Sequence, residues 1–249
     1  MFTTPVFWVR ATLTLTESSP YAHVVGDHVY YNTAVPGVGV FTVTAQVTAT
    51  AGITSVVFPT TTSSGVVHSL SGVSVTAGYS QGYTFTAAGI FSATTGVVVT
   101  DVNGAADTAS FVVLTDTQGP EAEISAPQRV TTTSIPVSWG ATDAGAGLDH
   151  YDVAVSTDGG TSYTSWLTQT QAVSAAYSGG TLGRCHLFRV TATDRVGNQS
   201  SAEAEWQTCT PQQVVKYYVH SAAWQTAIGD VSRLHTRRGG RCGRACTLP

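Results

Sequence analysis

Lysine is absent from the first 208 positions of this 249-residue chain, and Lys216 is its only occurrence. Over that stretch five arginines stand against fourteen aspartates and glutamates, a formal −9, while the remainder carries six basic residues against Asp230, or +5. An acidic body excludes nucleic acid as the partner, because binding a phosphate backbone depends on Lys and Arg displacing counterions. Methionine occurs once and charged residues make up 10% of the chain, so the strong helix formers Leu, Glu, Lys and Met are scarce almost everywhere. No apolar run approaches the roughly 20 residues of a membrane-spanning helix. Residues 1–10 also lack the basic segment and apolar core of a secretory signal. Either export information has been lost or the chain is a piece of something longer.

What is abundant is threonine, serine, valine, alanine and 25 glycines. Threonine and valine are stiff at χ1 and suit pleated strands, so the chain is expected to be all-β, in two domains with modest cores. Phe41, Val43, Ala45, Val47 and Ala49 alternate with Thr and Gln as one half-buried strand, Ala51-Gly52 turns the chain, and Ile53 to Phe58 is the next. Val73 with Val75, Tyr83 with Phe85, Val97 to Val99 and Phe111 to Leu114 continue at the close spacing of a sandwich, with a hairpin turn at Asp101-Val-Asn-Gly104. Asp116-Thr-Gln-Gly-Pro120 is a linker, since its Gly and Pro stop one strand and set the start of another.

In the second half, Ile135, Val137 and Trp139 share a face, with Pro136 implying an edge or an irregular start. Tyr151, Val153 and Val155 follow, then an Asp158-Gly-Gly160 turn, with Tyr163 and Trp166 as aromatic core. The clearest unit is 186–206, where Phe188, Val190 and Ala192 lead into the turn Asp194-Arg-Val-Gly-Asn198, and Ala202, Ala204 and Trp206 lead out. A hairpin centred on Gly197 pairs Phe188 with Trp206 and Val190 with Ala204. It also sets Cys185 opposite Cys209 on the outer face at roughly 4.5 to 5.5 Å between Cα atoms, a separation that suits a disulfide in an oxidising compartment. An offset of 93 positions lays Thr100-Asp101 over Thr193-Asp194, so the two domains are similar.

Ile135-Pro-Val-Ser-Trp139, Tyr151-Asp-Val-Ala-Val155 and Phe188-Arg-Val-Thr-Ala192 with Asp194, Gly197 and Asn198 resemble fibronectin type III and related bacterial immunoglobulin-like domains. The corner tyrosine of that family falls at His186, a departure from its strict pattern. Phe41-Thr-Val-Thr-Ala45 and Thr100-Asp-Val-Asn-Gly104 resemble immunoglobulin-like repeats of large bacterial surface proteins, and Val215-Lys-Tyr-Tyr-Val219 with residues 227–235 faintly resembles RHS/YD repeats. The expected layout is an unassigned leader at 1–14, sandwiches at 15–116 and 117–210, and a poorly ordered basic tail at 211–249. The resemblance implies non-catalytic spacer or interaction modules of a bacterial cell-surface or secreted protein, with other domains of the same parent, a surface protein or a glycan as partners.

Four groups of residues carry candidate chemistry. Gly78-Tyr-Ser-Gln-Gly82 matches G-x-S-x-G and resembles the cutinase-type esterase form, yet a nucleophile elbow needs a strand-to-helix turn. Tyr83-Thr-Phe-Thr after it alternates like a strand, so a strand-linking loop is expected, with hydrolysis through Ser80 as the remote alternative. Asp143, Asp149, Asp194 and Asn198 sit in or beside two loops that the topology brings to one end, where hard oxygens suit Ca²⁺; against that, Asp and Asn are also the preferred turn residues, which cap nearby backbone N–H groups. Cys242, Cys246 and His235 fall short of four zinc ligands. Tyr163, Trp166 and Tyr177 serve a glycan only if at least two rings stand coplanar in solvent. The other histidines (His23, His28, His68, His150, His186, His220) show no ligand spacing, and Asn198-Gln-Ser200 fits a glycosylation acceptor given little weight at a turn.

Overall fold

The computed structural model describes residues 6–32, 34–35, 39–59, 66–69, 76–85 and 93–212. Val73, Val75, the RHS-like segment, His220, His235, Cys242 and Cys246 lie outside the described residues. Those described form strands and turns without a helix, and none of them makes a helix long and apolar enough to cross a membrane.

The first sandwich faces a three-stranded sheet against a six-stranded one. Its small sheet runs β1 (Val9–Glu17), β4 (Gly39–Ala49), β7 (Thr76–Phe85). The large sheet runs β2 (Ala22–Val25), β3 (His28–Tyr31), β9 (Ala106–Thr115), β8 (Ala93–Asp101), β5 (Ile53–Phe58), β6 (Val66–Ser69). Only the β3–β9 pair is parallel among these. The alternation read in β4 is the burial pattern, with Phe41, Val43, Ala45, Val47 and Ala49 all buried. Phe41 stacks on Tyr83 at 4.9 Å and meets Phe111 edge-on at 6.1 Å, which ties the two sheets together. β1 begins inside the stretch expected to be leader, and its Ala11 joins this core.

The second sandwich sets β10 (Glu121–Ser125), β11 (Ile135–Thr142) and β14 (Ser174–Tyr177) against β13 (Thr164–Thr170), β12 (Leu148–Ser156), β15 (Cys185–Asp194) and β16 (Gln199–Glu203). A short β17 (Thr208–Cys209) also pairs β15. The two cores share no residue. Trp166 sits among Trp139, Tyr177 and Phe188 at ring separations of 6.0, 5.2 and 5.7 Å. Burying side chains of this size stabilises the unit by roughly 2 to 3 kcal/mol each.

Three local expectations are corrected. β11 is the middle strand, not an edge. The N–H of Trp139 points at Val173 on the β14 side, so by alternation residue 136 points the other way, where β10 has already ended at the Ser125–Ser138 pair. Pro136 therefore costs no ladder bond. Tyr163 is outside the core, its ring under the Arg189 guanidinium at 4.0 Å. The hairpin is centred on Val196 rather than Gly197, because Gly197 takes φ +86° and closes a type I turn with a bulge.

Val190 consequently faces Ala202, two residues from the expected partner. Ala204 to Gln207 then hold two more residues than the facing strand, which restores the expected register at Cys185–Cys209. A shift of two preserves the faces, so Ala204 stays buried, while Trp206 lies on the bulge and is 50% exposed. The Cys185–Cys209 disulfide is present, with Cα atoms 4.0 Å apart.

Candidate functional site

The chemistry-bearing side chains gather where the first sandwich ends and the second begins. Asp194 opens the β15–β16 hairpin and its Oδ1 accepts the N–H groups of Val196 and Asn198 at 2.9 and 2.8 Å. Asp143, between β11 and β12, does the same for Gly145 and Gly147 at 2.9 and 2.7 Å. Asp and Asn are suited to such turns because a short side-chain oxygen reaches the backbone two residues on.

Asp116 arrives from the other sandwich. Its own N–H donates to Tyr31 O at the end of β3, and its Oδ2 accepts the Ala146 N–H at 2.6 Å. Buried Asn32, just past β3, donates through Nδ2 to Val196 O at 3.1 Å and to Asn198 Oδ1 at 2.7 Å. Asn198 Nδ2 in turn donates to Asp116 O and to Asp194 Oδ2. Both amide hydrogens of Asn198 are thus engaged, which leaves its nitrogen unsuited to glycosylation. Tyr21 packs on Gly197 so closely that a Cβ there would stand 3.1 Å from its ring, and one at Gly145 would stand 2.1 Å from Asp116 Oδ2.

Carboxylate oxygens of Asp116, Asp143 and Asp194 lie within 4.8 Å of one another, and Asp116 and Asp194 are buried. Burial raises the Asp194 carboxyl above the usual carboxylate range, with the nearby Asp116 charge adding to it against the hydrogen bonds that lower it. Of the four residues expected to converge, the structure brings together Asp143, Asp194 and Asn198. Asp149 stays apart on β12, 2.7 Å from the His150 ring. Asp116 and Asn32 complete the group unforeseen. The donor set is all hard oxygen, as Ca²⁺ requires, although most of these oxygens already accept N–H groups.

Ser80 lies inside β7, not in a loop, and its Oγ is 2.9 Å from Thr44 Oγ1 on β4. The strand-to-helix turn of a nucleophile elbow is absent among the described residues. Trp166 and Tyr177 meet at 78° within the core, so the three aromatics form no coplanar platform. His186 is buried beside Tyr177, 5.7 Å between ring centres, with no hydrogen-bond partner on Nδ1 among the described residues, and burial lowers its pKa.

No family model matches the chain, and no curated protein matches its sequence. Among solved structures it is similar to fibronectin(III)-like modules of CbhA from Clostridium thermocellum, at 14% identity over 84% of this chain and all of theirs, TM-score 0.36. A Fn3-like protein from Clostridium thermocellum is 23% identical over 39% of this chain and 95% of its own, TM-score 0.30. Three N-terminal domains of the bacteriophage RB49 outer capsid protein Hoc are 13% identical over 85% of this chain and 63% of theirs, TM-score 0.41.

Proposed function

We propose that this chain is a non-catalytic spacer of a cell-surface or secreted protein, two sandwiches held in fixed alignment by the Asp116 joint, with further domains of the same parent as partners. The carrying observation is that Asp116 and Asn32 of the first sandwich supply hydrogen bonds to both loops of the second. A flexible linker has no use for a buried carboxylate oxygen that accepts an N–H 30 residues on. The disulfide supports an oxidising location. Small-angle scattering tests the reading: one extended two-body arrangement is expected at all salt concentrations, and a broad spread of separations contradicts it.

A second reading adds Ca²⁺ to the joint, favoured by two buried carboxylates close together and the raised Asp194 carboxyl. Asp116, Asp143, Asp194 and Asn198 would hold the ion and stiffen the linker. Millimolar calcium then raises the melting temperature relative to chelator while magnesium does not; no shift removes this reading and leaves the first.

A further inference from the structure

We propose that Glu17, His23 and Arg195 form an acid-sensitive latch across the joint, closed while His23 is neutral and released when it takes up a proton. The inference rests on the rigid-joint reading above. His23 lies on β2 of the first sandwich and is only 14% exposed, whereas Glu17 beside it is 37% exposed. Its Nε2 is 3.0 Å from Arg195 Nη1 in the hairpin of the second sandwich, and its Nδ1 is 3.2 Å from Glu17 Oε1.

One neutral tautomer satisfies both contacts. Arg195 has only donors, so Nε2 must accept, which places the ring hydrogen on Nδ1, where it donates to the Glu17 carboxylate. Glu17 Oε2 also accepts the Val24 N–H, which holds the carboxylate in place. Arg195 is aligned from its own side, its Nε donating to Leu148 O at 3.3 Å and its backbone N–H to Gly147 O at 2.9 Å. A proton taken from solvent by Nε2 replaces the acceptor with a donor and sets a second cation against the guanidinium. The other groups facing His23 are Tyr30, its cross-strand partner on β3, and Glu17 on β1; β4 carries no charged residue. Of the two groups in contact with the ring, Glu17 favours its protonated form, and does so from its own sandwich whether the joint is open or closed. Arg195 disfavours that ring only when the joint is closed, so protonation favours opening.

Hydrogen exchange on the whole chain tests this. The Ala146 amide, whose acceptor Asp116 belongs to the first sandwich, reports opening of the joint. After correction for intrinsic exchange, its protection is expected to fall about tenfold from pH 7.5 to 5.5, the worth of one hydrogen bond to a charged group. His23→Gln, whose amide donates to Glu17 and accepts from Arg195 without titrating, is expected to hold protection constant across that range. Equal pH dependence in the two proteins, or none in the native one, overturns the latch. Tumbling measured at pH 7.5 separates the two failures: sandwiches already independent there sink the rigid joint itself, whereas one body without pH response sinks only the latch.

Discussion

Asp101 and Asp194 stand 93 positions apart and build the same turn, one in each sandwich. Each accepts two backbone N–H groups through Oδ1, at 2.9 and 2.8 Å in both cases, and each is followed three residues on by a glycine, at φ +84° and +86°. They differ at the second oxygen. Asp194 Oδ2 receives Asn198 Nδ2 at 2.7 Å, while Asp101 Oδ2 is buried without a hydrogen-bond partner among the described residues, because position 105 is alanine.

Ala105→Asn transplants the missing donor. It is expected to stabilise the first sandwich by about 1 kcal/mol, the net worth of satisfying one buried acceptor. Denaturant unfolding of this variant beside the native chain checks it, and no gain or a loss means the two turns are not interchangeable.

Gly145→Ala places a methyl where the Asp116 carboxylate sits. The variant is expected to keep both sandwiches folded but to lose the Ala146 protection that Asp116 confers. Unchanged exchange at Ala146 would show that the carboxylate is not what holds the joint.

The His186 imidazole, lowered by burial, gives a pH dependence of known sign. The unfolded chain takes up this proton below about pH 6.5 while the folded one resists, so the stability it protects is present above that pH and declines as the pH falls. His186→Phe is expected to flatten the slope between pH 6.5 and 5, read from the urea midpoint of the second sandwich. Asp158, exposed and held at about 2 by hydrogen bonds from Ser156 and Ser162, acts in a separate window, its contribution lost only as pH drops below about 4.

The disulfide closes a 24-residue separation, and constraining the unfolded chain by a loop of that length is worth roughly 3 kcal/mol. Cys185→Ser with Cys209→Ser is expected to lower the stability of the second sandwich by about that much and leave the first unchanged, which calorimetry resolves.

The sheets were legible in the sequence wherever one face alternates cleanly, as in Phe41 to Ala49 and Phe188 to Ala192. The faces hold even where the register differs from the expected one, since a two-residue slip at Val190 keeps parity. Bulges defeat the details: nothing local in Ala204 to Gln207 announces two extra residues, so simple alternation pairs Trp206 with Phe188. At the joint, Asp143, Asp194 and Asn198 carry turn signals and were found. Asp116 reads only as linker and Asn32 not at all, because their partners across the joint lie 30 to 166 residues away and no short-range pattern encodes them. Asp149 departs for the opposite reason, being near Asp143 in sequence but exposed at the irregularity of β12 between Leu148 and His150.

The most direct test of the joint is ¹⁵N relaxation across the whole chain at pH 7.5. Amides of the described strands β1 to β9 and β10 to β17 are expected to fit one anisotropic rotational diffusion tensor, the behaviour of a single body. Two separate tensors, each with the shorter correlation time of a lone sandwich, would contradict the account.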